Sequence, residues 1–145
     1  MGLINQMLTA TRSSRINISD EEKTKLVAKT FSKYLKRGDV LLLNGELGVG
    51  KTTFIKYLIN CLQSKFKQKK TEVPSPTFNI VYEYKVKNLI VQHYDLYRIK
   101  DHNELQNIGL YENMKDTLTL IEWPEIIKQK PKNRIELMFN YEHHN

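Results

Sequence analysis

The feature that most constrains this chain is "DVLLLNGELGVGKTTF", residues 39–54, in which an apolar run leads into three glycines, Lys51 and two threonines. A short apolar run bounded by a turn reads as a buried strand. Residues 45–52, "GELGVGKT", then satisfy the phosphate-loop pattern G-x-x-x-x-G-K-[ST] in full. Gly45, Gly48 and Gly50 permit backbone angles that a Cβ forbids, so successive N–H groups turn inward around a phosphate. A helix starting near Lys51 aims its unpaired N–H groups and positive end at the same point. Lys51 supplies a point charge for the β- and γ-phosphates, and the Thr52 hydroxyl is a ligand for Mg²⁺. A plain glycine turn beside an exposed lysine is the bland alternative. The placement argues against it, because the motif sits between an apolar strand and a helix whose apolar face is Ile55, Leu58, Ile59 and Leu62.

With 145 residues, 40% of them apolar and 27% charged, the chain is expected to be a single soluble domain over 1–145. Residues 1–14 are expected to be flexible. No apolar run approaches the roughly 20 residues of a membrane helix, and the first residues lack the compact apolar core of a secretory signal. The chain is therefore read as cytoplasmic, with no membrane contact. Cys61 is the sole cysteine, which excludes an internal disulfide, and its apolar neighbours predict a buried small hydrophobe. No two of the four histidines stand at i,i+4, so zinc has little support. The net charge of +7 favours anionic partners, whether nucleotide, RNA or an acidic protein surface. The densest basic run, "KFKQKK" at 65–70, reads first as a solvated helix end and second as an RNA contact.

Along the chain, "RINIS" at 15–19 alternates like a strand, and Ser19 with Glu22 forms the capping box of a helix. Val27, Phe31, Tyr34 and Leu35 carry that helix to Arg37-Gly38. After the phosphate loop and its helix, Pro74 and Pro76 mark a loop. "NIVYEYKV" and "LIVQHY" read as a hairpin turning near Lys87-Asn88. "DHNELQNIGL" offers a short helix ended by Gly109, and "TLTLIEW" and "RIELMFNY" read as strands. Interleaved strands and helices with one hairpin predict an α/β fold built on a mixed sheet flanked by helices.

A phosphate-loop hydrolase needs a carboxylate from a second strand to position the cation or its water shell. Asp95 and Glu122 both end apolar strands, and each alone could equally be an exposed charge. Thr77, in "SPTF", lies where switch-type hydrolases place a hydroxyl that senses the γ-phosphate; a plain Pro-Thr turn is the alternative. Arg98 reads either as an ion-pair partner or as an arginine finger in cis.

The set "GELGVGKTTF", "SPTFNIVYEY", "HYDLYRI" and "IEWPE", in this order, closely resembles the TsaE (YjeE) family of small bacterial ATPases. The resemblance runs from about Ile18 to the last strand. It implies a P-loop NTPase-like fold and ATP phosphates cradled by Gly48, Val49, Gly50, Lys51, Thr52 and Thr53. It also implies Mg²⁺ held by Thr52 and Glu122, an important Asp95, and a family tryptophan at Trp123. The segment near Asp20 would lie by the adenine. Catalysis would fall to Asp95, Lys51 and Thr77. The implied role is support of tRNA threonylcarbamoyladenosine synthesis, with ATP turnover resetting the TsaB–TsaD complex and any tRNA contact indirect or weak. A small-molecule kinase is the rival reading, but no arginine-rich lid is present. A GTP switch would carry N-K-x-D, which does not occur. A nucleotide binder without hydrolysis is the third.

Overall fold

The run after Asp39 forms β1, Val40–Asn44, and Val40 to Leu43 are all buried. The computed structural model describes residues 15–142; the flexibility expected of residues 1–14, and the histidines at 143 and 144, lie outside the described residues. β1 is the fourth strand of a five-stranded sheet ordered β2-β3-β4-β1-β5. The others are β2 (Val81–Val86), β3 (Leu89–Asp95), β4 (Leu118–Glu122) and β5 (Ile135–Met138). β1, β3, β4 and β5 run parallel, while β2 pairs antiparallel with β3. The mixed sheet expected from the sequence is what forms.

A strand in the interior of such a sheet is covered on both sides and so reads as continuous apolar residues rather than alternating ones. Leu41 and Leu43 point to one face, where α1 (Glu21–Tyr34) and α2 (Lys51–Lys65) lie. There Ala28 and Phe31 of α1 meet Phe54, Ile55, Leu58, Ile59 and Leu62 of α2. The Phe31 and Phe54 rings meet edge-on at 5.7 Å, a favoured aromatic geometry. Val40 and Leu42 point the other way, onto Tyr94, Leu96, Ile121 and Ile127. That face is closed by a short helix, α3 (Glu104–Asn107), through Leu105. Each leucine so buried contributes about 1.5–3 kcal/mol.

The hairpin turns at Lys87-Asn88, with Lys87 in the left-handed region at φ 54°, as a two-residue β-turn of this hand requires. No helix among the described residues is long and apolar enough to cross a membrane.

Three local expectations are corrected. Residues 15–19 are not a strand: Ile16 and Ile18 are half-buried and their neighbours exposed, so the alternation is present, yet no strand lies alongside to complete a ladder. The N-cap of α1 is Asp20, whose Oδ1 accepts the Lys23 N–H at 2.8 Å. The Ser19 N–H, which a capping box would direct to Glu22, goes instead to Asn17 Oδ1 at 2.8 Å. Cys61 is only half-buried, since it lies beside rather than on the inner face of α2; burial still pushes its thiol pKa up.

The cap assignment gives a direct test. Asp20→Ala should destabilise the fold by about 1 kcal/mol, whereas Ser19→Ala should stay within roughly 0.5 kcal/mol, both read by urea denaturation. A larger loss for Ser19→Ala would reverse the assignment.

Candidate nucleotide-binding site

The C-terminal ends of β1, β3 and β4 lie side by side, the edge at which open α/β sheets bind their ligands. Leu43 is in register with Glu122, and Glu122 with Asp95. The chain leaves β1 through Gly45, whose φ of +148° is accompanied by a close approach: a Cβ there would stand 2.7 Å from the Phe139 carbonyl oxygen. It enters α2 through Gly50, at φ +116°. That N-cap carries no side-chain hydrogen bond, so the first-turn N–H groups of α2 face the pocket without a capping acceptor of their own, the arrangement that receives anions.

Lys51 opens α2 and is 4% exposed. Its Nζ donates to the Gly45 carbonyl and stands 3.5 Å from the centre of the Trp123 ring. Burial lowers its pKa, opposed by Glu122, then Glu125 and Asp95. The ring face and the nearby carboxylates thus offset part of the cost of desolvating the ammonium. Trp123 reaches this position through a left-handed backbone, φ 56° and ψ 57°, a conformation that costs a non-glycine residue about 1–2 kcal/mol. Its ring also packs on Tyr97, at 4.9 Å between centres, and Pro124 ends the strand.

The two acids take different partners. Thr52 Oγ1 donates to Glu122 Oε1 at 2.8 Å. The second oxygen, Oε2, meets His93 Nε2 at 2.6 Å, and His93 and Glu122 are 0% and 2% exposed. Asp95 instead ties down the proline loop: its Oδ2 accepts the Thr77 hydroxyl at 3.0 Å and the Ser75 hydroxyl at 3.4 Å. Its Oδ1 accepts the Tyr97 N–H at 2.9 Å. Ile80 closes that loop at φ +71°, strained for a β-branched residue, and its carbonyl accepts the Asp95 N–H at 2.8 Å.

Gly48, Gly50, Lys51, Thr52, Thr53, Thr77, Asp95 and Glu122 therefore share one pocket, with Leu47, Ser75 and Trp123 on its walls. Gly45 and Val49 do not line it: Gly45 backs against Phe139, and Val49 packs on the apolar core. Asp20 caps α1 and does not line it either. Arg98 makes no ion pair among the described residues; its guanidinium lies 4.9 Å over the Phe78 ring. His93 is the residue that sequence reasoning missed. The histidines were weighed only as zinc ligands, whereas its place two residues before Asp95 on an inner strand puts its side chain on the same face as Asp95.

His93 Nδ1 is buried without a partner, so the ring meets this site through Nε2 alone. His93→Leu should destabilise the fold by about 2–3 kcal/mol, because a buried carboxylate oxygen loses its partner. His93→Gln, which retains a donor, should recover much of that loss. Equal stability of the two variants in denaturant titrations would show that the contact does not matter.

Residues 18–145 match the family model of TsaE, the threonylcarbamoyl adenosine biosynthesis protein. The chain is 44% identical to the tRNA threonylcarbamoyladenosine biosynthesis protein TsaE of Rickettsia felis, over 77% of this chain and 63% of the relative. It is 38% identical to the Bacillus subtilis protein of the same name, over 81% of this chain and 71% of that one. It thus spans less than two thirds of the length of the Rickettsia felis relative. The crystal structure of Bacillus subtilis YdiB superposes with a TM-score of 0.64 at 33% identity, covering 82% of this chain and 70% of that chain. Matched from Ile18 onward by the family model, and sharing its fold with a solved structure, this chain belongs to the TsaE family.

Proposed function

We propose that this chain is a Mg²⁺-dependent ATPase that supports tRNA threonylcarbamoyladenosine biosynthesis in the cytoplasm by driving turnover of a TsaB–TsaD complex. The observation that carries the reading is the 2.8 Å bond between Thr52 Oγ1 and Glu122 Oε1. It joins the phosphate-loop hydroxyl to a carboxylate 70 residues away. The donor set fits the cation. Mg²⁺ is a hard ion that takes one or two protein oxygens and completes its shell with phosphates and water.

Thr52 and Glu122 would hold Mg²⁺, which when bound neutralises charge on the β- and γ-phosphate oxygens. The N–H groups from Gly48 to Thr53 and the Lys51 ammonium hold the phosphates. Asp95, fixed by three donors, is the acceptor that orients an attacking water. Thr77 shares that carboxylate, so a phosphate drawing the Thr77 hydroxyl away would loosen the proline loop, a bistable contact of the kind that reports nucleotide state. Among the described residues no arginine lines the pocket, which suits an enzyme whose partner completes the site and accelerates it by about 10³–10⁵-fold.

Phosphate release measured with ATP and with GTP, alone and with TsaB–TsaD, tests this reading. ATP turnover should be slow alone, faster with the complex, and lost in Glu122→Ala with the fold retained. Lys51→Ala should weaken Mg·ATP binding about 10- to 100-fold in calorimetry. Partner-independent phosphorylation of a small metabolite would overturn the reading in favour of a kinase. Metal dependence lost in Asp95→Ala but kept in Glu122→Ala would exchange the two acids.

A further inference from the structure

The lysine run at 65–70 is fastened to α2 rather than left loose beyond it. Lys67 N–H donates to the Ser64 carbonyl at 3.0 Å and Gln68 N–H to the Gln63 carbonyl at 2.9 Å, the paired bonds of a Schellman helix end. Thr71 N–H then donates to Gln63 Oε1 at 3.1 Å, and the Gln63 amide donates back to Thr71 Oγ1 at 2.8 Å. The position this motif reserves for glycine is Lys67, at φ +58°, where a side chain costs about 1 kcal/mol. A lysine thus occupies a site at which glycine would be more stable.

Tertiary structure adds cations from far along the chain. Gln68 Oε1 accepts the Lys87 N–H at 2.6 Å, and its amide donates to the Lys85 carbonyl at 3.2 Å. Those two bonds seat the β2–β3 turn against the helix end. On its other side, Arg37 donates to the Asn88 carbonyl at 2.8 Å. The exposed Phe66 ring has two ammoniums near it, Lys87 Nζ at 5.3 Å and Lys65 Nζ at 5.7 Å from its centre. None of Lys65, Lys67, Lys69, Lys70, Lys85 and Lys87 is within ion-pair distance of a carboxylate among the described residues.

We infer that this face binds the phosphodiester backbone of RNA, with Phe66 as a platform on which a base stacks. Cations without carboxylate partners release counterions when phosphates replace them. Cations carried on a fastened backbone lose less freedom on binding than those on a free tail. An exposed ring flanked by ammoniums is what single-stranded segments of nucleic acid use, stacking beside charge. An acidic polypeptide would exploit the charge and leave the ring without a role. The patch stands at the far end of α2 from Thr52, about 20 Å along the helix axis, so the inference does not rest on ATP chemistry.

The test is fluorescence anisotropy of a labelled tRNA transcript titrated with the full chain at several salt concentrations. Polyglutamate and phosphatidylserine vesicles serve as competitors. Lys67→Gly with Lys87→Gln should weaken binding roughly tenfold and reduce the salt slope by about 2. Lys67→Gly alone should not lower the melting temperature, since glycine relaxes that turn. Phe66→Leu should weaken binding about fivefold. Lys128→Gln with Lys132→Gln removes the same charge from exposed positions between β4 and β5 and should leave affinity within about twofold if the patch, not net charge, binds. Absence of tRNA binding, or an equal loss in that control pair, would overturn the inference. Displacement of tRNA by polyglutamate or vesicles at matched charge would overturn it in favour of an acidic protein or a membrane surface.

Discussion

The register of β1 on β4 is the constraint on which the rest of the site depends. Leu43 stands opposite Glu122 in a parallel ladder, so the phosphate-loop hydroxyl of Thr52 and the carboxylate of Glu122 come within hydrogen-bond distance at 2.8 Å. Side chains alternate along a strand, and a slip of one residue would turn Glu122 to the opposite face of the sheet. What prevents the slip is the apolar interior on both faces, with Leu41 and Leu43 packed one way and Val40 and Leu42 the other. The core is thus the device that aims the carboxylate.

From that point the polar groups divide into two sets with distinct partners. Half-buried Thr52 and buried Glu122 and His93 form a line running from the loop into the sheet. Asp95, Ser75 and Thr77 form a second set that fastens the proline loop to the end of β3. The two acids are neighbours in register, yet share no hydrogen-bond partner. A change in the second set can therefore move the loop without disturbing Thr52, Glu122 and His93, the separation that the proposed nucleotide-sensing loop would require. The strained backbones at Ile80 and Trp123 mark the turn that closes the proline loop and the one that follows β4, as strain concentrates where a side chain must be held against local preference.

Much of the fold was legible because its signals are local. The apolar run of β1, the glycines around residue 48, the face of α2 and the hairpin turn at Lys87-Asn88 all follow from near neighbours in sequence. Where expectation failed, the local pattern left a partner or an exact position unspecified. Residues 15–19 have a strand's alternation but no neighbouring strand. The cap falls on Asp20 rather than Ser19, whose N–H goes to Asn17 and not to Glu22. Cys61 sits among apolar residues in sequence but at the side of its helix, and periodicity alone does not fix where the edge of a face falls.

The sequence by itself determined the phosphate loop, because that loop is made of backbone geometry and backbone geometry is set by which residues lack a Cβ. It also named both acids as strand ends. Residue spacing did not choose between them, although the family resemblance implied Glu122, since the choice depends on which carboxylate lies beside Thr52, a distance across some 70 positions of chain. The tertiary structure puts Glu122 in this place, and it alone decided that His93 backs it and that the lysines of the helix end meet those of the hairpin. Hydrogen bonds and charge contacts act over a few ångströms, and proximity between remote segments exists only once the sheet has closed.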